Sequence, residues 1–424
     1  MKFKRHEHLF IAVLVLFGAA LGCTPGFTPV AGTSTPIPGG TGTFESFPAN
    51  PSLSAGNVAF VGTGSDGQQG VYSMVAITGS PIRVADLNTP IPDGTGNFTG
   101  FIPGNPVIPS DPCISGDNVA FWAKGADNQE GIYLYPTDPF LPVAKVVDRN
   151  TAIPEGTGNF ASLVPPNPIA PASPAMSGDA VVFRGFGSSG QQGVYRMANG
   201  PPIKIADLNT LVPGGVSNFA DFSGSPFISG DYISFIGLGG GGPEGMQGVY
   251  LLGVDGLSTV ADLTTPIPGG THNFIGFIPG NPVIPPASPS NSQSNVAFIG
   301  FGLDGQQGVY SMINGSLASV ADLNTPIPGG TGNFTGFVPG NPVVPADPSI
   351  SGDTVAFVGF GSGGQKGIYL NSAFFFKVAA VGDTLDGKTV SDLRFGRSGL
   401  GDAHSISFGA DFTDGSQGVY KASF

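Results

Sequence analysis

The sequence predicts an all-β fold, a seven-bladed β-propeller with four-stranded antiparallel blades, and three observations carry that prediction. The apolar segment "NVAFVG" and its relatives recur seven times, on Phe60, Phe121, Phe183, Phe235, Phe298, Phe357 and Phe408. A Gly-Val-Tyr or Gly-Ile-Tyr triplet follows each copy and accounts for seven of the nine tyrosines: Tyr72, Tyr133, Tyr195, Tyr250, Tyr310, Tyr369 and Tyr420. The third observation is a fragment out of place. "VAGTSTPIPGG" at 30–40 matches the repeat tail "VADLNTPIPGG" at 320–330, but no repeat head precedes it. Units recurring at such a period bury their faces against their neighbours. If the array closes into a ring, the orphan pairs with the Tyr420 strand and completes the last blade.

Residues 1–22 open with Lys2, Lys4 and Arg5, continue through an apolar run from Leu9 to Ala20, and end at Gly22. Basic, apolar and small residues in that order make an export signal, to be set aside when the fold is considered. The stretch resembles a bacterial lipoprotein signal, with Ala20 where such signals usually carry Leu. That resemblance implies lipidation at Cys23; simple cleavage near Gly22 is the alternative. A short tether, 23–27, then leads into one propeller domain, 28–424.

Each repeat divides into four segments bounded by Gly, Pro, Asn and Asp, as a meander of short strands requires. The first runs from an F-x-x-F element, such as Phe44 and Phe47 or Phe98 and Phe101, through "ISGD". The second is the "NVAFVG" segment. It is apolar almost throughout, which suits a sheet covered on both faces by neighbouring blades rather than one with a solvated side. The third is "GVYSM" and the fourth "SVADL". Only six copies of the fourth segment follow a tyrosine, because the seventh tyrosine segment, "GVYKASF", runs to residue 424. A β-solenoid is the rival architecture, and it leaves a half repeat without a use.

The chain carries 16 Lys and Arg against 29 Asp and Glu. Removing 1–22 takes Lys2, Lys4, Arg5 and Glu7, leaving 13 against 28, a net charge of about −15. So acidic a protein is repelled by nucleic acid and by anionic lipid head groups, so neither is expected as a partner; membrane contact is expected only through the N-terminal lipid. Two cysteines are too few for a disulfide framework, and Cys113, where another repeat has Ser349, is expected to be a buried, inert thiol.

The unit "PSISGDTVAFVGF…GIY" resembles the repeat of TolB-like secreted bacterial propellers and the tandem G-x-x-x-A-F repeats of other exported bacterial proteins. The shared motifs are glycine turns, an apolar strand and a tyrosine. The resemblance implies the fold and carries no catalytic residue onto this chain. The crossover from the fourth segment to the next first segment, residues 88–112, is long and proline-rich, a departure from relatives with short loops.

In a meander, successive turns alternate between the two ends of the sheet. The long connections therefore share one face, and loops on a rigid scaffold are where binding groups collect. The candidates on that face are Asp66, Gln68, Pro103, Asn105, Glu130, Glu244, Pro279, Asn281, Pro339 and Asn341. The recurrent Asp86, Asp148, Asp207, Asp262 and Asp322 sit beside turns and suit Asx-type turns, not a metal site. His272 and His404 fall in different repeats, so no His-based triad or multi-His site is expected, and neither a metal nor any other cofactor. Trp122, directly after a "VAF", is expected in the core. Because a ring of copies repeats everything else, an asymmetric site has to be assembled from exceptions, among them Lys124, Arg149, Arg184, Arg394 and Arg397. The functional expectation is an exported, lipid-anchored, non-enzymatic propeller binding a protein, peptide or cell-surface polymer through its long-loop face. The alternatives are a hydrolase or lyase in the central channel, or a structural envelope component.

Overall fold

The computed structural model describes residues 25–76, 79–103, 109–136, 138, 141–165, 173–240, 246–280, 286–339, 346–402 and 405–424. Seven antiparallel sheets follow one another, forming a seven-bladed propeller. In blade 1 the first strand, Phe44–Ser46 with Ser52–Ser54, pairs with Asn57–Gly64. That strand pairs with Gln69–Met74, which pairs with Pro81–Asp86. Blade 7 takes its fourth strand from the other end of the chain. Gly26–Gly32 runs antiparallel to Gln417–Ser423, with Pro29 opposite Tyr420, so the orphan fragment covers an edge that would otherwise stand unpaired.

The repeated aromatics pack the same way in blade after blade. In blade 1 the ring of Phe44 lies 5.2 Å from Phe47 and 4.8 Å from Tyr72, and Phe60 stacks on Tyr72 at 5.8 Å. Edge-to-face and offset contacts of this kind add stability beyond area burial. Two glycines of the motif make room for them. A Cβ on Gly62 would come within 2.6 Å of the Phe44 ring, and one on Gly70 within 2.9 Å of the Tyr72 hydroxyl and 2.7 Å of the Ala85 carbonyl. The motif is thus a packing rule written in small and large residues.

The first strand differs from its expected form. In blades 1, 2, 3 and 6 it breaks into two pieces that pair with the same second strand; the "PGNPV" segments, expected in the crossover between blades, lie largely outside the described residues. In blade 2, Phe98 and Gly100 pair with Gly125 and Lys124, while Cys113–Ser115 pair with Ala120–Asn118. Only Phe121, Trp122 and Ala123 separate those partners on the second strand. Blade 4 lacks the insertion and keeps one irregular strand, Phe219–Ser229.

The second halves of the first strands touch their counterparts in the next blade all the way round, which makes this strand the innermost. Serine side chains tie it across the blade boundaries. Ser54 Oγ accepts the Gly116 N–H, Ser115 Oγ that of Gly178, and Ser177 Oγ that of Gly230, each at 2.9–3.0 Å. The Ser of "SGD" is therefore a clasp between blades.

Candidate functional site

Side-chain bonds define the two faces. Gln68, in the turn between second and third strands, donates through Nε2 to the Thr41 carbonyl at 3.0 Å and accepts the Thr41 N–H at 3.2 Å. Gln129 holds Thr95 in the same manner, and Gln191 Nε2 donates to the Thr157 carbonyl. These turns and the crossovers between blades therefore share one face. At the other end, Asn57 Oδ1 accepts the Ala76 N–H at 2.8 Å, joining the two remaining kinds of turn. The Asp residues closing the fourth strands make Asx turns: Asp86 Oδ1 accepts the Asn88 N–H and the Thr89 hydroxyl, both at 3.0 Å. Asp148, Asp207, Asp262 and Asp322 do likewise.

The axis of the ring is crossed by Arg397, from blade 7. Its Nη1 donates to the Pro226 carbonyl at 2.7 Å, and its Nη2 donates to the carbonyls of Ser173 at 2.6 Å and Pro174 at 3.1 Å. It is 2% exposed. Polar residues that precede the inner halves of several first strands are bonded to one another across blade boundaries. Asp111 accepts the Asn50 N–H at 2.9 Å, Ser173 accepts that of Asp111 at 2.9 Å, and Asp347 accepts that of Ser288 at 2.6 Å. Desolvation pushes Asp111 up to about 6 and Asp347 up to about 7, against the opposing pull of Arg397. Cys113 is buried here as a free thiol, and desolvation raises it as well.

A second departure from the repeat lies on the long-loop face of blade 2. A cleft of about 310 Å³ is lined by Pro103, Trp122, Lys124, Asn128, Glu130 and Arg149, among others. A compartment of about 330 Å³ adjoins it, sharing Asn128, Gln129, Glu130 and Arg149 and adding Asp127, Asp148 and Asn150. Four of these residues break the repeat. Trp122 stands where blades 1, 4, 5 and 6 have Val or Ile, and Lys124 where blades 3 to 6 have Phe or Leu. Glu130 replaces a Gln, and Arg149 replaces the Leu of "VADL". The matching depression in blade 3, about 200 Å³, has Gln192 and Leu208 in the last two places.

Glu130 is held firmly. Its Oε1 accepts the N–H groups of Leu163 at 2.6 Å and Val164 at 3.0 Å, the Ser162 hydroxyl at 3.1 Å and Trp122 Nε1–H at 3.4 Å. The repeat glutamines make the weaker form of this bond, as where Gln69 accepts the Phe101 N–H at 3.2 Å. Arg149 Nη1 donates to the Asn128 carbonyl at 3.1 Å. Lys124 extends over Gly100, where a Cβ would come 2.7 Å from its Cε. Among the described residues neither Lys124 nor Arg149 forms an ion pair. The other basic exceptions are committed: Arg394 to Asp411 at 2.7 Å, and Arg184 to the Gly224 carbonyl at 3.0 Å, with Asp221 at 3.9 Å.

Of the residues singled out from sequence, Pro103 and Glu130 meet in this cleft. Asp66 is exposed in its turn at φ 59°, and Gln68 is a strut rather than a free group. Pro279 and Pro339 lie in other blades, beside the inserts. Asn105, Glu244, Asn281, Asn341, His404 and Cys23 lie outside the described residues. Trp122 is buried as expected, at 4% exposure, yet its indole edge reaches the cleft. Lys124 and Arg149 were legible only as breaks in a repeat.

Strand pairing and closure define the class of protein, a seven-bladed β-propeller. The chain belongs to the family of unknown function DUF7453, whose model matches residues 117–423. No curated protein matches it in sequence. Similar solved structures include the β-propeller domain of the Trilobed protease from Pyrococcus furiosus, 10% identical over 89% of this chain and 95% of that one, with a TM-score of 0.49. TolB from Acinetobacter baumannii is 13% identical over 78% of this chain and 62% of its own, with a TM-score of 0.36. AofleA from Arthrobotrys oligospora is 10% identical over 86% of this chain and 96% of its own, with a TM-score of 0.40. At such identities and scores these likenesses say nothing about activity or ligand.

Proposed function

We propose that the protein is an exported, non-enzymatic binding propeller, held to the cell envelope by a lipid on Cys23, that engages a cell-surface polymer through the face carrying the blade 2 cleft. The observation supporting this reading most is the clustering of exceptions. Trp122, Lys124 and Glu130 come from two strands of one blade and Arg149 from the turn after its fourth, and all line one depression. Two of them are cations that form no ion pair among the described residues of an acidic protein. A pocket with a few convergent polar groups on a rigid scaffold is the usual form of a ligand site. The leader and Cys23 support export and anchoring through the order of their residues.

Restoring blade 2 to the repeat, with Trp122→Val, Lys124→Phe, Glu130→Gln and Arg149→Leu, should abolish retention on isolated envelope polysaccharide while leaving the protein folded by circular dichroism. Retention by the restored blade would exclude the cleft, and shortening of the retained polymer would exclude the non-enzymatic reading. Cys23→Ser should move the protein from the membrane fraction to the soluble fraction. A wild-type protein that is already soluble removes the anchor.

A further inference from the structure

We infer that the blade 2 cleft takes a sugar acid, a hydroxylated carboxylate of monosaccharide size, with the carboxylate between Lys124 and Arg149. The inference rests on the binding reading above and names its ligand class.

Charge gives the first half. Lys124 and Arg149 line the same cleft, and among the described residues neither has an ion-pair partner. Glu130, the carboxylate of that cleft, is already an acceptor for Leu163, Val164, Ser162 and Trp122. Against the single charge of Glu130 the two cations leave the cleft with one positive charge in excess, which an anion between Lys124 and Arg149 would meet. A planar guanidinium offers a carboxylate two parallel N–H bonds, and an ammonium adds a point charge.

The adjoining compartment gives the second half. Asp148 is satisfied within its own turn, accepting the Asn150 N–H at 3.1 Å and the Thr151 hydroxyl at 2.7 Å, and it faces Lys145 at 3.4 Å. Gln129 is bonded to Thr95 and Ala126. Asn128 and Asn150 are exposed, and among the described residues their side-chain amides carry no hydrogen bond. An amide supplies both donors and an acceptor, the complement of a hydroxyl group. The cleft therefore has a cationic end for one carboxylate and an amide-lined end for hydroxyls. A second acidic group there would meet Asp127 and Asp148, which disfavours dicarboxylates. An ammonium would find only Asp127 without a partner, and Asp127 is solvent-exposed among the described residues, which disfavours free amino acids.

Trp122 is the chain's single tryptophan and lines the cleft, so its fluorescence reports on the site alone. The test titrates the full mature chain with sodium glucuronate and, separately, with glucose, glutamate and sodium sulfate, following Trp122 emission and heat. Glucuronate should give a saturable change, with the other three weaker by about tenfold or more. Arg149→Leu and Lys124→Phe, both residues that other blades carry, should each weaken glucuronate by about tenfold to a hundredfold, the worth of a charge-assisted hydrogen bond. Equal binding of glutamate or sulfate overturns the sugar acid in favour of a general anion site. Equal binding of glucose overturns the role of the cations. Absence of a glucuronate response overturns the inference outright. The polysaccharide retention experiment stands apart from these outcomes, since a blade 2 that retains a neutral polymer keeps the binding reading and loses only the acid.

Discussion

Arg397 in blade 7 and Arg149 in blade 2 occupy places where the repeat is broken, and their surroundings differ in every respect. Arg397 is buried on the axis, donates to three carbonyls from blades 3 and 4, and has the carboxyls of Asp111 and Asp347 nearby. Arg149 is half-buried on an outer face, donates a side-chain bond to a loop carbonyl and shares a cleft with Lys124, neither of them ion-paired among the described residues. The difference separates two uses of an exception. A departure whose polar groups are satisfied inside the chain holds the ring together, while one left unsatisfied at the surface is available to something outside it.

The largest test of that division concerns closure. Deleting residues 24–40 removes the strand paired with Gln417–Ser423 and opens the ring that Arg397 spans. Loss of cooperative unfolding and aggregation are expected, because a whole sheet edge is left bare. A monomeric deletion variant with an unchanged melting transition would show that the closing strand is dispensable.

Arg397→Ala comes next. It leaves the buried carbonyls of Pro226, Ser173 and Pro174 without their donor and two enclosed carboxyls without their cation. Breaking a buried network in this way costs about 3–5 kcal/mol. Chemical denaturation should show that loss with glucuronate affinity unchanged in the folded fraction. A stability loss below about 1 kcal/mol, typical of an ordinary surface substitution, would deny Arg397 its role as a pin.

The carboxyls near Arg397 predict an effect that depends on pH. Burial raises Asp347 from 3.8 to about 7 in the folded protein. The native state then holds a proton that the unfolded state has released, so stability from this group is present in acid and lost as pH rises toward 7. Asp347→Asn should flatten that slope between pH 4 and 7, each unit of displacement being worth about 1.4 kcal/mol. Identical slopes in wild type and variant would place Asp347 in contact with water.

Smallest of all should be the effect on stability of Arg149→Leu and Lys124→Phe. Each restores a residue that other blades carry and removes a cation that forms no ion pair among the described residues, so the expected change lies within about 0.5 kcal/mol. A loss comparable to that of Arg397→Ala would erase the distinction between the two regions and make the cleft a structural joint.

Propeller, blade number and closure were legible because every blade solves one packing problem with one set of residues. Phe44, Phe60 and Tyr72 recur as Phe98, Phe121 and Tyr133, and the glycines that admit them recur beside them. The break in the first strand escaped notice, since "PGNPV" has the composition of a crossover and only the register of Gly100 and Cys113 against Lys124 and Ala120 shows otherwise. The axis could not be read at all: Arg397 bonds to residues 171 to 224 positions away. The cleft was half legible. Lys124, Glu130 and Arg149 stood out as exceptions, but so did Arg184 and Arg394, and only the fold shows which of them found partners within the chain.

The account turns on which face of the propeller is used, and hydrogen exchange in the presence of retained envelope polysaccharide measures that directly. Peptides covering 122–130 and 146–150 should gain protection, while the turns near Asn199 and Asp255, on the opposite face, should exchange as in the free protein. Protection at Asn199 and Asp255 with blade 2 unchanged would contradict the account.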